Sequence, residues 1–142
     1  MMGNNLDLNT GDIVFKDATH KNFFLKYSKQ CRYVDVYHLA LIYCLGLSPD
    51  TRNNIHNIYD FKSGCVNPHC LKSGWQTSGT IRIIHLAFNL YCNGVPSVCD
   101  TDDTETQLAE CKLYTVENIF CCSYALYFWQ AIKIRYPEYC GG

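Results

Sequence analysis

The 142-residue sequence lacks a marked net charge, a long apolar run and a recognisable leader segment. Its formal net charge is −1, so no global field attracts it to a DNA duplex or to an anionic membrane surface. No run approaches the roughly 20 apolar residues that a membrane-spanning helix needs. The first residues, MMGNNLDLNTGD, have neither the basic start nor the apolar stretch of a signal peptide. We therefore expect a cytoplasmic protein that binds neither membranes nor duplex DNA directly.

The chain also lacks internal repeats, low-complexity tracts and any linker rich in proline or glycine. We therefore expect one globular domain over residues 1–142, with residues 1–14 as a candidate flexible segment. A hydrophobic fraction of 48% and an aromatic fraction of 14% favour a packed core over a disordered chain.

Helix signals dominate what is present. Ser48 followed by Pro49 is a strong helix start, and Gly46 and the pair Asn93–Gly94 are helix stops. The predicted helices cover residues 17–31 (capped by Thr19), 34–47, 48–61, about 79–92, 106–114 and 123–136 (capped by Ser123). Residues 11–17, GDIVFKD, hint at a strand, but a single strand makes no sheet. The predicted class is all-α, a compact single-domain bundle of about five or six helices.

Three of the predicted helical segments are apolar on nearly every face: residues 36–45, 81–92 and 124–134. A helix that is hydrophobic all round is buried on all sides, so these segments should form the centre of the bundle. We expect residues 81–92 to be the most buried helix, around which the others pack.

The polar residues in and before the segment 81–92 fall on one stripe. Ser78, Arg82, His85 and Asn89 have the spacing that places side chains on one narrow face of a helix. Such a stripe either faces water or lines a polar cleft. An arginine in the first turn of the helix would supply a charged fork for a phosphate or a carboxylate.

The turn that precedes the helix adds hydrogen-bond donors. It holds Trp75, Thr77, Ser78, Gly79 and Thr80. The first backbone N–H groups of a helix lack internal partners and carry the positive end of the helix dipole. Together with three hydroxyl groups they suit an anion, while the glycine would let a ligand approach and the tryptophan could stack on a ring. The sequence therefore predicts an anion site here, although the motif is not a phosphate-binding loop of the Walker type.

The same residues also have structural explanations, which stay open at this point. A hydroxyl of the turn would cap the helix, and Arg82 would pair with a carboxylate such as Asp35 or Asp60. His38, on an apolar helix, would be a hydrogen-bonded core residue or, with Tyr37, a further ligand contact.

A catalytic site is not predicted. A serine–histidine–aspartate triad can be written from Ser78, His38 or His85, and Asp35, but no G-x-S-x-G elbow supports it. We name no catalytic residue and expect no enzymatic activity.

Ten cysteines would indicate a disulfide scaffold in a secreted protein. Without an export signal we expect free thiols that pack as small apolar residues, as Cys44 and Cys92 do in their apolar contexts. The segment CVNPHC offers an alternative set of zinc ligands, Cys65, His69 and Cys70 with Cys99 or His56. Its spacing differs from the paired cysteines of structural zinc sites, so we predict no metal and no cofactor.

Charge is unevenly distributed along the chain. Residues 16–32 carry five basic residues against one acidic residue, and residues 100–117 carry six acidic residues against one basic residue. These segments are either two solvated faces or complementary surfaces of associating copies. With the high aromatic content, we expect the second, a symmetric dimer.

Three long segments resemble a family of small uncharacterised proteins of Gram-positive bacteria, their phages and mobile elements. They are DVYHLALIYCLGLSPDTRNNI (35–55), GWQTSGTIRIIHLAFNL (74–90) and CSYALYFWQAIKIRYPEY (122–139), and the likeness covers roughly residues 15–140. The resemblance implies no established activity. It implies a context in which compact phage proteins antagonise host defence, in the cytoplasm of the host cell.

Three functions follow as hypotheses. The first is a non-enzymatic phage protein that sequesters a small anionic ligand, a nucleotide immune signal, using Trp75, Thr77, Ser78, Thr80, Arg82, His85, Asn89, Tyr37 and His38. The second is a protein-binding inhibitor of a host defence nuclease, acting through the acidic segment 100–117. The third is an enzyme that cleaves the nucleotide with His38 or His85 as a base.

Overall fold

Helices make up most of the computed structural model, which describes residues 10–97 and 103–140. Within these residues there are nine α-helices and a hairpin of two strands, so the predicted class is confirmed. The helices are α1 (Ala18–Ser28), α2 (Val36–Leu45), α3 (Pro49–Asn53), α4 (Ile55–Ile58), α5 (Ser78–Cys92), α6 (Thr104–Lys112), α7 (Val116–Phe120), α8 (Ala125–Arg135) and α9 (Pro137–Cys140). The strands β1 (Tyr59–Asp60) and β2 (Cys65–Val66) pair antiparallel, and short 3-10 helices span Thr10–Asp12 and Pro68–Lys72.

Helix α2 is the centre of the fold. Every residue from His38 to Leu45 is buried, because α1, α5 and α8 all pack against this helix. The prediction that residues 81–92 are the most buried helix is therefore wrong. Helix α5 packs along α2 but leaves Arg82 and Asn89 only half-buried.

Helix α8 is buried on one face only, so the predicted burial on all sides is wrong for this helix. Phe128, Ala131 and Ile134 lie in the core, whereas Leu126 is 72% exposed and Trp129 is 58% exposed. Helix α8 packs chiefly against α2, and on its other face the Trp129 ring contacts Phe120 of α7 but stays largely exposed.

Most helix starts follow local capping. The Oγ of Ser48 accepts from the backbone N–H of Thr51 at 3.1 Å, which confirms that cap. Asp17 rather than Thr19 caps α1, and α8 starts after Tyr124 with no side-chain cap, so the expected Ser123 cap is wrong. The segment predicted as one helix over 48–61 divides into α3, α4 and β1, and residues 13–15 form no strand.

A buried histidine joins α1 to α2. His20 is fully buried, its Nε2–H donates to the carbonyl of Tyr43 at 2.8 Å, and its Nδ1 accepts from the N–H of Lys16 at 3.0 Å. Burial lowers the pKa of His20, which keeps the ring neutral and suits one donor and one acceptor. A side chain on Gly46 would lie 2.7 Å from the His20 ring, so this close approach requires glycine.

No helix in the described part of the chain combines the length and apolar character that a membrane crossing demands.

Candidate functional site

The start of α5 is closed by a reciprocal capping box. The Oγ1 of Thr77 accepts from the N–H of Thr80 at 3.1 Å, and the Oγ1 of Thr80 accepts from the N–H of Thr77 at 2.7 Å. The hydroxyl of Thr80 also donates to Oε1 of Gln76 at 2.6 Å. Capping therefore explains both threonines, and their hydroxyl groups are already hydrogen-bonded within the protein.

The glycine and tryptophan of the turn face the protein itself. A side chain on Gly79 would lie 3.1 Å from Cε2 of Tyr124. The expectation that Gly79 leaves room for a ligand is therefore wrong, because the ring of Tyr124 occupies that position. Trp75 is half-buried and packs against the hydrophobic core.

A cleft with a volume of about 210 Å³ lies along the first turns of α5. It is lined by Ser78, Ile81, Arg82, His85, Leu113 and Asn118. Helix α5 supplies one wall, and the other is formed by Leu113, which directly follows α6, and by Asn118 of α7. Three members of the predicted polar stripe thus meet in one cleft: the first serine of the helix, the arginine and the histidine.

Arg82 is held in the cleft by neutral acceptors. Its Nε–H donates to the carbonyl of Asn118 at 2.8 Å, and its Nη1 donates to the carbonyl of Ser78 at 2.8 Å. The proposed pairing with Asp35 or Asp60 is wrong, because those carboxylates bond to groups elsewhere. Carbonyl oxygens orient the guanidinium but do not neutralise its positive charge.

His85 lies beside Arg82 with no hydrogen bond to either ring nitrogen from the described residues. Its side chain is only 4% exposed, and its ring packs edge-to-face on Tyr114 with centroids 4.5 Å apart. Burial lowers the pKa of His85 to about 4, against the opposing influence of the Glu110 carboxylate. The ring is therefore neutral near pH 7 and presents one donor and one acceptor.

Asn89, the last member of the stripe, serves the opposite end of the helix. Its side-chain amide donates to the carbonyl of Gly94 at 2.9 Å. This bond holds the turn in which Asn93 has a left-handed backbone with φ of 56°. The predicted helix stop at this pair is confirmed.

His38 contacts Tyr91 at the C-terminal end of α5, Tyr37 contacts Arg135 of α8, and neither residue lines the cleft. Nδ1 of His38 is 2.7 Å from Oδ1 of Asp35, and its Nε2 is 3.4 Å from the hydroxyl of Tyr91. The hydrogen-bonded core explanation therefore accounts for His38. The triad written from the sequence is not assembled, because Ser78 and His85 line the cleft whereas Asp35 bonds to His38.

A buried arginine at this end was missed in the sequence. Arg135 is 7% exposed, and its Cζ lies 3.8 Å from the ring centre of Tyr37 and 4.4 Å from that of Tyr136. Its Nε–H donates to the carbonyl of Leu90 at 2.9 Å, and its Nη2 donates to Oδ1 of Asn93 at 3.0 Å. The available signal was a basic residue in the last turn of an apolar helix.

The cysteines differ in how deeply they are buried. Cys44 is fully buried, as expected for a packing role, whereas Cys92 is exposed, so the packing role predicted for it is wrong. In the candidate zinc segment Cys65 and His69 are exposed and Cys70 is buried. No group of three metal-ligating side chains occurs among residues 10–97 and 103–140, and Cys99 lies outside them.

The two charged segments are both at the surface. The lysines of α1, Lys21 and Lys26, are exposed, and α6 has no buried side chain. Residues 100–102 of the acidic segment lie outside the described residues. Association of copies through these surfaces stays a prediction.

The fold and cleft define a small, mainly helical domain with an uncompensated arginine and a buried neutral histidine at one cleft. The chain belongs to the family of unknown function DUF6075, whose model matches residues 10–142. Searches of curated proteins and of solved structures found no match. Membership of an uncharacterised family is thus confirmed, and the phage origin stays a prediction.

Proposed function

We propose that this chain is a non-enzymatic binding protein that holds a small anionic ligand, of the nucleotide class, in the Arg82 cleft. The observation that supports the proposal is the way in which Arg82 is bonded. Its guanidinium is fixed by two backbone carbonyls and forms no ion pair with a carboxylate in the described parts of the chain. A half-buried cation with fixed geometry and uncompensated charge favours an anion from outside the protein.

The rest of the cleft fits such a ligand. The exposed Ser78 side chain lies in the first turn of α5, where the helix dipole adds positive potential. Ile81 and Leu113 provide apolar walls for a sugar or a base. His85 offers one hydrogen-bond donor and one acceptor to the uncharged part of the ligand.

The cleft size limits the ligand class. A volume of about 210 Å³ suits a phosphate with part of a nucleoside, and excludes a folded polymer. The physiological role that we propose is sequestration of a nucleotide immune signal in a host cell, which is the context implied by the family resemblance. The proposed site keeps Ser78, Arg82 and His85, and adds Ile81 and Leu113.

The proposed activity is binding of the nucleotide without chemical conversion. A general base works best when its pKa lies near the working pH. Burial lowers the pKa of His85 to about 4, so this histidine is a weak base at neutral pH. The nucleotide should therefore be released intact.

Isothermal titration of the intact chain with a panel of nucleotides tests the proposal, with chromatography of the ligand recovered afterwards. We expect binding that falls at least tenfold in Arg82→Gln, equivalent to about 1.4 kcal/mol. Arg32→Gln is the matched control, because Arg32 also donates to a backbone carbonyl, that of Ser63 at 3.0 Å, and is exposed. No binding by the wild-type chain, or equal binding by Arg82→Gln, would contradict the proposal.

A second candidate function is supported by α6. This helix has no buried side chain, and it presents Leu108, which is 57% exposed, beside Glu105. An acidic surface with an exposed leucine fits the nucleic-acid site of a defence nuclease. Inhibition of a purified nuclease that is lost in Leu108→Arg and retained in Arg82→Gln would favour this function, and absence of inhibition would remove it.

A further inference from the structure

The charge balance and donor geometry of the Arg82 cleft point to a more specific ligand. Among the six lining residues only Arg82 is cationic. The carboxylate of Glu110, which opposes the lowering of the His85 pKa by burial, does not line the cleft. The cleft therefore offers one full positive charge to a ligand.

The hydrogen bonds of Arg82 restrict how that charge is presented. A guanidinium has five N–H donors, and the bonds to Asn118 and Ser78 use Nε–H and one N–H of Nη1. Three donors remain, one on Nη1 and two on Nη2, and adjacent N–H groups on these two nitrogens form an edge of the fork. Such an edge pairs with two oxygens of a single anionic group, as in a bidentate contact with a phosphate.

His85 supplies the second, independent observation. It is 4% exposed, lines the cleft, and receives no hydrogen bond from the described residues. Among the described residues the fully enclosed side-chain atom without a partner is Oγ of Ser28, so the ring nitrogens of His85 reach solvent in the cleft. Their one donor and one acceptor are therefore open to a neutral ligand group such as a hydroxyl or a base edge. A second phosphate placed there would meet a neutral ring, the apolar side chain of Ile81, and no second cation among the six lining residues.

We propose that the Arg82 cleft is selective for a singly charged phosphodiester, as in cyclic nucleotides, and discriminates against 5′-triphosphates. The inference rests on the proposed function and names its ligand class. One phosphodiester satisfies the two-oxygen edge of Arg82, while the uncharged sugar or base reaches His85 and the apolar walls. Additional phosphates would extend beyond a cleft of about 210 Å³ and would find no further cation among the residues that line it.

Isothermal titration of the intact chain tests this with three probes that share one base: adenosine 3′,5′-cyclic monophosphate, adenosine 5′-monophosphate and adenosine 5′-triphosphate. We expect the cyclic nucleotide to bind at least tenfold more tightly than the triphosphate. Tighter or equal binding of the triphosphate, lost in Arg82→Gln, would overturn the selectivity and leave the anion site standing. Absence of binding by all three probes would overturn both.

A change of charge at the cleft rim gives a second test. Leu113 is 42% exposed, so a lysine there adds a cation without being buried. Leu113→Lys should raise the affinity for the triphosphate by roughly five- to tenfold relative to the neutral control Leu113→Gln, because a second cation a few ångströms from the ligand attracts the added phosphates. An unchanged triphosphate affinity would show that charge count does not set the selectivity.

Discussion

An arginine and a histidine lie at each end of α5. The pair at the C-terminal end is bonded within the protein, whereas the pair at the N-terminal end lines a cleft. At the C-terminal end the hydroxyl of Tyr91 donates to the carbonyl of Gly64 at 2.6 Å and lies 3.1 Å from the hydroxyl of Tyr59. Arg135 is stacked between tyrosine rings there and bonded to two acceptors. At the N-terminal end Arg82 lines an open cleft, and its neighbouring histidine has no hydrogen bond from the described residues.

The difference separates a structural network from a candidate site. Arg135 and His38 find partners inside the protein, so their burial stabilises the fold and leaves nothing for a ligand to complete. Arg82 and His85 are placed by the fold but incompletely satisfied by it. Groups that the fold positions but leaves open to a cleft are candidates for a functional site.

The largest effect is expected at Arg135. Arg135→Met should reduce the free energy of unfolding by about 3 kcal/mol, because it leaves the Leu90 carbonyl and the Asn93 side chain without a donor and removes a stacked cation. Urea unfolding measures the loss. Arg82→Met, the matched change at the other end, should cost about 1 kcal/mol, since its two carbonyl partners can turn to water. Equal losses in the free energy of unfolding for the two variants would contradict the proposed difference between the two ends of α5.

The next largest effect concerns Asp35. This carboxylate accepts from the backbone N–H of His38 at 2.9 Å, as the N-cap of α2, and bonds to the ring of the same histidine. Asp35→Ala should cost about 2 kcal/mol, the combined loss of a cap and a partly buried bond to a charged acceptor. Asp35→Asn keeps a capping oxygen and should cost about half as much, as judged by thermal unfolding. A loss below about 0.5 kcal/mol in Asp35→Ala would show that this network is not stabilising.

Features that depend on local chemistry could be predicted from the sequence. The cap at Ser48 and the stop at Asn93–Gly94 require only neighbouring residues, and the sequence predicted both. Helical spacing likewise brought Ser78, Arg82 and His85 to one face, where the structure places them at one cleft.

Features that depend on distant parts of the chain could not be predicted. The stacking of Tyr37 on Arg135 joins α2 to the end of α8, and the ring that fills the space beside Gly79 belongs to Tyr124. Periodicity cannot show which apolar helix has neighbours on every side, so α2 and α5 were ranked in the wrong order. Strands of two residues, such as β1, are too short to produce an alternating pattern.

The smallest effect at neutral pH, and the one that tests the contrast most directly, is expected at His85. Because the ring nitrogens lack hydrogen bonds from the described residues, His85→Leu should leave stability unchanged at pH 7 or raise it by up to about 1 kcal/mol.

The wild-type chain should also lose stability on acidification. The pKa of His85 is lowered by burial from an ordinary value near 6.5 to about 4, so the unfolded chain takes up a proton first. The stability is fully present above about pH 6.5 and is lost progressively as the pH falls towards 4. His20 has a pKa lowered in the same direction, so the difference between wild type and His85→Leu isolates the contribution of His85. The free energy of unfolding of His85→Leu should therefore exceed that of the wild type by more at pH 5 than at pH 7, as measured by unfolding curves at the two pH values. A variant more than about 1 kcal/mol less stable at pH 7 would mean that His85 is structurally satisfied, and both ends of α5 would then be complete networks.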